Sequence, residues 1–138
     1  MNFSKVMAIS GKPGLYEILS QTKNGVIVKS LIDGKRTAVN ATNNVSLLEN
    51  IAIYTYAEEV PLAVVFKNIA DKENGEESIS HKESNQVLTS YFSEILPDYD
   101  DERVYTSNIK KVIQWYNILA KSEFDFATLA EVESNEEE

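Results

Sequence analysis

The chain has 138 residues with 13 basic and 22 acidic side chains, one histidine and no cysteine. That length suits one ordinary domain or two very small ones, and an apolar fraction of 43% with 9% aromatics excludes wholesale disorder. Without cysteine there is no disulfide framework, thiol nucleophile or cysteine metal site, and a lone histidine excludes a multi-histidine metal cluster within one chain.

The opening residues MNFSKVMAIS carry no long apolar core, which argues against a signal peptide. No stretch approaches the roughly 18 consecutive apolar residues of a membrane span. A soluble cytoplasmic protein with no membrane attachment is expected. The net charge of −9 is unevenly divided: residues 1–60 carry six basic and five acidic side chains, residues 61–138 seven and seventeen. Such a split predicts two units with different surfaces. An acidic half repels phosphate backbones, while the near-neutral first half stays eligible for nucleic acid.

Phe3, Val6, Met7 and Ile9 open the chain as a strand or short helix. The segment Gly11-Lys12-Pro13-Gly14 matches in form the G-x-x-G clamp of KH domains. Only ten residues precede Gly11, too few for the strand and helix of that fold, and Asn24-Gly25 follows too soon for a second helix. A tight turn accounts for these residues instead. Leu15–Ser20, Val26–Leu31 and Arg36–Val39 then read as strands separated by Asn24-Gly25 and Asp33-Gly34, dipeptides that supply the positive φ of two-residue hairpin turns. Residues 44–49 suggest a 3₁₀ or helical turn, and Ile51–Thr55 a last strand. Short strands at this density predict a small SH3-like or Sm-like β-barrel.

Pro61 suits the first position of a helix, with Leu62, Val65, Phe66 and Ile69 on one stripe. Ser80 and Glu83 have capping-box spacing ahead of Val87, Leu88, Tyr91, Phe92 and Ile95, and Pro97 ends that helix. After a polar connector, Thr106 or Ser107 caps a third helix whose inward residues are Ile109, Val112, Ile113, Tyr116 and Leu119. Trp115 and Ile118 lie off that stripe, and a helix apolar on more than one side is deeply buried or offers a face to a partner. Phe124, Phe126 and Leu129 form a last turn packed back on the bundle. The class expected is α+β: a β domain over 1–58, a bundle of about three helices over 59–130, and a disordered acidic tail over 131–138.

Chemistry finds little purchase. His81 sits between Ser80 and Lys82 at a helix start, with no nucleophile-ordering partner nearby in sequence. Asp98, Asp100 and Glu102 alternate like the first ligands of a calcium loop, but Arg103 and Ile109 stand where the EF-hand needs glycine and glutamate. Those carboxylates are expected to cap the next helix or pair with Arg103. Gly34-Lys35 lacks the rest of a P-loop, and no G-x-G-x-x-G segment anchors a dinucleotide, so no cofactor is expected. Lys12, Lys23, Lys29, Lys35 and Arg36 on the β half form a candidate nucleic-acid surface beside Tyr16, diluted by Glu17, Asp33 and Glu49. The ten-residue acidic connector is too long for a helix-turn-helix.

Ile9–Tyr16, Ser20–Gly25, Leu96–Asp100 through Tyr105, and Ile109–Leu119 resemble an uncharacterised family of short intracellular Bacteroidetes proteins known as domains of unknown function. The resemblance covers residues 3–121 and implies a small β unit followed by helices; it carries no activity or catalytic residue. The expected function is a non-enzymatic protein-interaction or adaptor module that meets an unidentified protein partner, or a second copy, through Trp115 and Ile118. The alternative is a nucleic-acid-associated regulator acting through the basic residues of the β half.

Overall fold

The computed structural model describes residues 3–9, 14–40 and 45–129. The chain divides into two units, Met1–Ile51 and Ala52–Glu138. In the first, a 3₁₀ turn at Phe3–Lys5 leads into β1 (Val6–Ile9), β2 (Tyr16–Thr22), β3 (Gly25–Ser30), β4 (Arg36–Asn40) and β5 (Val45–Leu47). All pairs are antiparallel, and the sheet order is β4-β3-β2-β1-β5. Because side chains alternate across a strand, this register puts Met7, Ile9, Val28 and Val39 into one buried cluster flanked by Tyr16, Ile18, Val26 and Leu47. Tyr16–Thr22 being a strand removes the KH arrangement, which needs a helix there. Among the described residues β4 and β5 are the two edges and do not pair with each other, so the sheet is open where a closed barrel was expected.

The turns work differently from their dipeptide signatures. Gly34 does adopt a positive φ of 75°, and the Asp33 carboxylate accepts from the Lys35 N–H at 2.9 Å. They sit inside a longer loop, however, closed by the Ser30 N–H donating to the Lys35 carbonyl. Gly25 has no positive φ at all. It is the first residue of β3, where an added Cβ would lie 2.0 Å from the Val39 carbonyl oxygen of β4. Close approach of two backbones requires this glycine.

Residues 45–50 are β5 followed by a 3₁₀ turn at Leu48–Asn50. The strand expected next does not complete the first sheet. Instead β6 (Ala52–Tyr54) pairs with β7 (Glu59–Pro61) in the second unit. Its hairpin is closed locally: the Thr55 N–H donates to the Glu58 carbonyl at 3.0 Å, and Thr55 Oγ1 accepts from the Glu58 N–H at 2.9 Å. A strand with so near a partner has no need of a distant sheet.

Three helices follow, α1 (Leu62–Glu73), α2 (Asn85–Ile95) and α3 (Thr106–Lys121), then a 3₁₀ turn at Phe126–Thr128. The predicted apolar stripes are buried, with Leu62, Phe66, Leu88, Phe92, Ile113 and Leu119 completely inaccessible; Val87 is the exception and faces outward. Pro61 caps α1 from the end of β7 rather than occupying its first turn, and Asn74 in the left-handed region (φ 58°) terminates it. The helix cap of α2 is Ser84, whose Oγ accepts from the Val87 N–H at 3.3 Å; Ser80 instead accepts from the Lys82 N–H. At α3 the Asn108 side chain accepts from the Tyr105 N–H at 3.0 Å, one residue earlier than Thr106. Phe124, Phe126 and Leu129 are buried as expected, with Phe126 stacked on Tyr116 at 4.8 Å between ring centres. The acidic tail lies outside the described residues.

Candidate functional site

β6 and the connector between α2 and α3 are stitched together by backbone hydrogen bonds. The Asp100 N–H donates to the Tyr54 carbonyl and the Tyr56 N–H to the Asp98 carbonyl, both at 2.9 Å. Thr55 and Tyr99 face each other in an antiparallel bridge. Tyr99 anchors the connector by meeting Phe92 edge-on, ring centres 5.0 Å apart. On this base stands an aromatic surface. Tyr56 is 66% exposed and Tyr54 42%; Tyr105, at the start of α3, is 64% exposed. The Arg103 guanidinium lies over the Tyr54 ring at 5.2 Å, with its Nε 3.5 Å from a carboxylate oxygen of the mostly buried Asp100. The Tyr56 hydroxyl donates to Asp101, which holds that hydroxyl above its ordinary pKa. Glu59 lies directly across from Tyr54 in the hairpin register.

The expected partner residues divide. Ile118 is buried, because the helix presents it to the interior along with Leu119, and it offers no surface; Trp115 is half-buried. The sequence patterns do not single out Tyr54 and Tyr56 as a surface, although the two alternate about Thr55 while the buried Ile53 points the other way. That two-residue period was the available signal.

The basic residues of the first unit are only partly gathered. Lys29 and Arg36 are cross-strand neighbours, with Lys35 next to Arg36, and Glu17 opposes Lys29 at 3.9 Å on the other side. Lys23 belongs to the opposite end of the β2–β3 hairpin, about 13 Å along the strand at 3.3 Å per residue. Lys12 lies outside the described residues.

Asp100 pairs with Arg103 as expected but does not cap α3: it accepts from the Glu102 N–H at 3.0 Å inside the connector's own turn, and Tyr105 stands at the helix start. Among the described residues no group of three His, Asp or Glu side chains could hold a metal ion. No described helix is long and apolar enough to cross a membrane. A cleft of about 400 Å³ beside the end of α1 is lined by Lys67, Asp71, Asn74 and Phe126 among others, but its charges are engaged: Lys67 meets Asp71 at 3.3 Å, and Asp125 accepts from the Ala127 N–H.

A polar network ties the three helices. Tyr91 of α2 donates to Glu73 at the end of α1, and Tyr116 of α3 donates to the Glu76 carbonyl at 2.7 Å. Asn117 accepts from the Ser78 N–H at 2.8 Å and donates to the Ile79 carbonyl at 2.9 Å. Burial first, then the Glu73 carboxylate, pushes the Tyr116 hydroxyl up to about 12 and raises Tyr91 further. These groups hold the loop after α1.

Two family models match the chain: Domain of unknown function (DUF5606) over residues 3–48 and Domain of unknown function (DUF6852) over residues 51–119. Their junction, between residues 48 and 51, lies next to the point where the structure divides, after Ile51. The chain is also similar to a Bacteroides vulgatus protein whose solution NMR structure was determined as a structural genomics target. The two share 43% identity and a TM-score of 0.75, with 91% of each chain covered. No curated protein matches. The chain thus belongs to the DUF6852 family, a family of unknown function.

Proposed function

We propose that this protein is a non-enzymatic protein-interaction or adaptor module of the cytoplasm, whose contact surface is built by Tyr54, Tyr56 and Arg103. The observation that carries the reading is the exposure of these two tyrosines beside an arginine on a hydrogen-bonded platform. Tyrosine and arginine are the residues most enriched where proteins bind one another, since each supplies large contact area with a polar end. Affinity capture from the native cell, with wild type beside a Tyr54→Ala/Tyr56→Ala variant, tests it. A partner held by wild type and recovered roughly ten-fold less by the variant is expected; equal recovery removes the reading.

A nucleic-acid role for the first unit keeps one observation in its favour, the clustering of Lys29, Lys35 and Arg36 at one end of the β3–β4 hairpin. It predicts salt-dependent RNA or DNA binding by the full chain that weakens in a Lys35→Glu/Arg36→Glu variant. No binding at low salt ends it. A Bacteroidetes source belongs to the same reading and is supported by the B. vulgatus relative.

A further inference from the structure

We infer that the tyrosine surface receives an arginine- or lysine-rich protein segment, and not a second copy of this chain. The inference rests on the interaction reading above and names the class of partner. Two observations carry it. The chain already holds one cation between a ring and a carboxylate: Arg103 lies over Tyr54 and meets Asp100. Beside it, Tyr56 and Asp101 bring together another ring and carboxylate, here joined by a hydrogen bond from the tyrosine hydroxyl, and no described cation is placed over that ring. The second position offers an exposed ring and an acceptor carboxylate to a cation from outside the chain.

The surrounding charge agrees. Glu58, Glu59, Asp98, Asp101 and Glu102 are all exposed, and none forms an ion pair among the described residues. The positive charge of Arg103 is balanced by Asp100. Two copies meeting through this face would bring their carboxylates together, and like charges opposed across an interface are strongly unfavourable. A nucleic-acid backbone is repelled for the same reason. A cationic segment gains both from the field and from the ring face.

The test uses the full chain and a labelled peptide of alternating arginine and serine, with a glutamate–serine peptide as counter-probe, followed by fluorescence anisotropy at low and moderate salt. Wild type is expected to bind the arginine peptide and not the glutamate peptide. Tyr56→Ala is expected to weaken binding roughly three- to five-fold, the scale of an exposed cation–π contact, and Asp101→Asn by a similar factor. A Glu83→Gln/Glu123→Gln control removes two carboxylates elsewhere and should change affinity less than either. No binding at low salt, or an equal loss in the control, overturns the inference. Native-partner capture that needs Tyr56 while the arginine peptide fails to bind leaves the interaction reading standing and removes the cationic partner. A wild-type dimer in sedimentation equilibrium that Tyr56→Ala dissolves overturns the inference in favour of a second copy.

Discussion

Gly25 and Gly34 look alike in the sequence, each second in a turn dipeptide, yet they do different work. Gly34 supplies a left-handed φ in open space, whereas Gly25 makes room for the Val39 carbonyl. Gly25→Ala should therefore cost about 1–3 kcal/mol through overpacking of the β3–β4 pair, and Gly34→Ala about 1 kcal/mol through φ strain alone; denaturant titration of both variants checks the order. The buried tyrosines make a second prediction. Folding raises the Tyr116 hydroxyl above its unfolded value and up to about 12, and raises Tyr91 also, by burial and then by the Glu73 carboxylate. The fold thus favours the neutral phenol. This stabilisation is complete below the unfolded value of about 10 and is lost as pH climbs through the folded one. Stability should fall between about pH 10 and 12, less steeply in a Tyr91→Phe/Tyr116→Phe variant, with tyrosinate absorbance rising as the chain unfolds.

Among the elements, helix interiors followed their apolar periodicity while helix starts did not. Ser80 and Glu83 have the spacing of a cap, but the donor that needs capping is the Val87 N–H, which Ser84 reaches. Ser84→Ala is expected to lower stability by about 1 kcal/mol and Ser80→Ala by much less, seen as separate shifts in thermal midpoint. Asn117 holds the loop after α1 by bonds to Ser78 and Ile79. Replacing it with alanine strips that loop of its partners, at a cost of about 1–3 kcal/mol, and amide exchange at Ser78 should accelerate. The hairpin of β6 and β7 is the element that departs most from the sequence pattern. Its strand pattern was legible in Ile51–Thr55, but strand pairing is a choice between partners, and Glu59–Pro61 lies only a turn away.

For the molecule as a whole, the uneven charge has a structural counterpart in the division after Ile51. The second unit carries its own core of Leu62, Phe66, Phe92, Ile113, Tyr116 and Leu119. Residues 52–138 expressed alone are expected to keep helical circular dichroism and slow exchange at Phe66 and Phe92, whereas residues 1–51 are near the size at which a single core becomes marginal. Loss of both signals in the 52–138 fragment would show that this core is not sufficient.

The sequence by itself determined what depends on neighbours in the chain: the β2–β3–β4 meander, the three helices and their buried stripes, and the acidic bias of the second half. Apolar periodicity and turn residues act over a few positions, so they survive in one dimension. The candidate site was another matter. Trp115 and Ile118 are conspicuous on a helical wheel, but whether a second apolar face is covered depends on packing, and Ile118 is buried. Tyr54 and Tyr56 lie about fifty residues from Arg103 in the chain, and only the hydrogen bonds between β6 and the 98–100 connector bring them together. A surface made from two distant segments exists only once the backbone has paired them, and that pairing was decided by the tertiary structure.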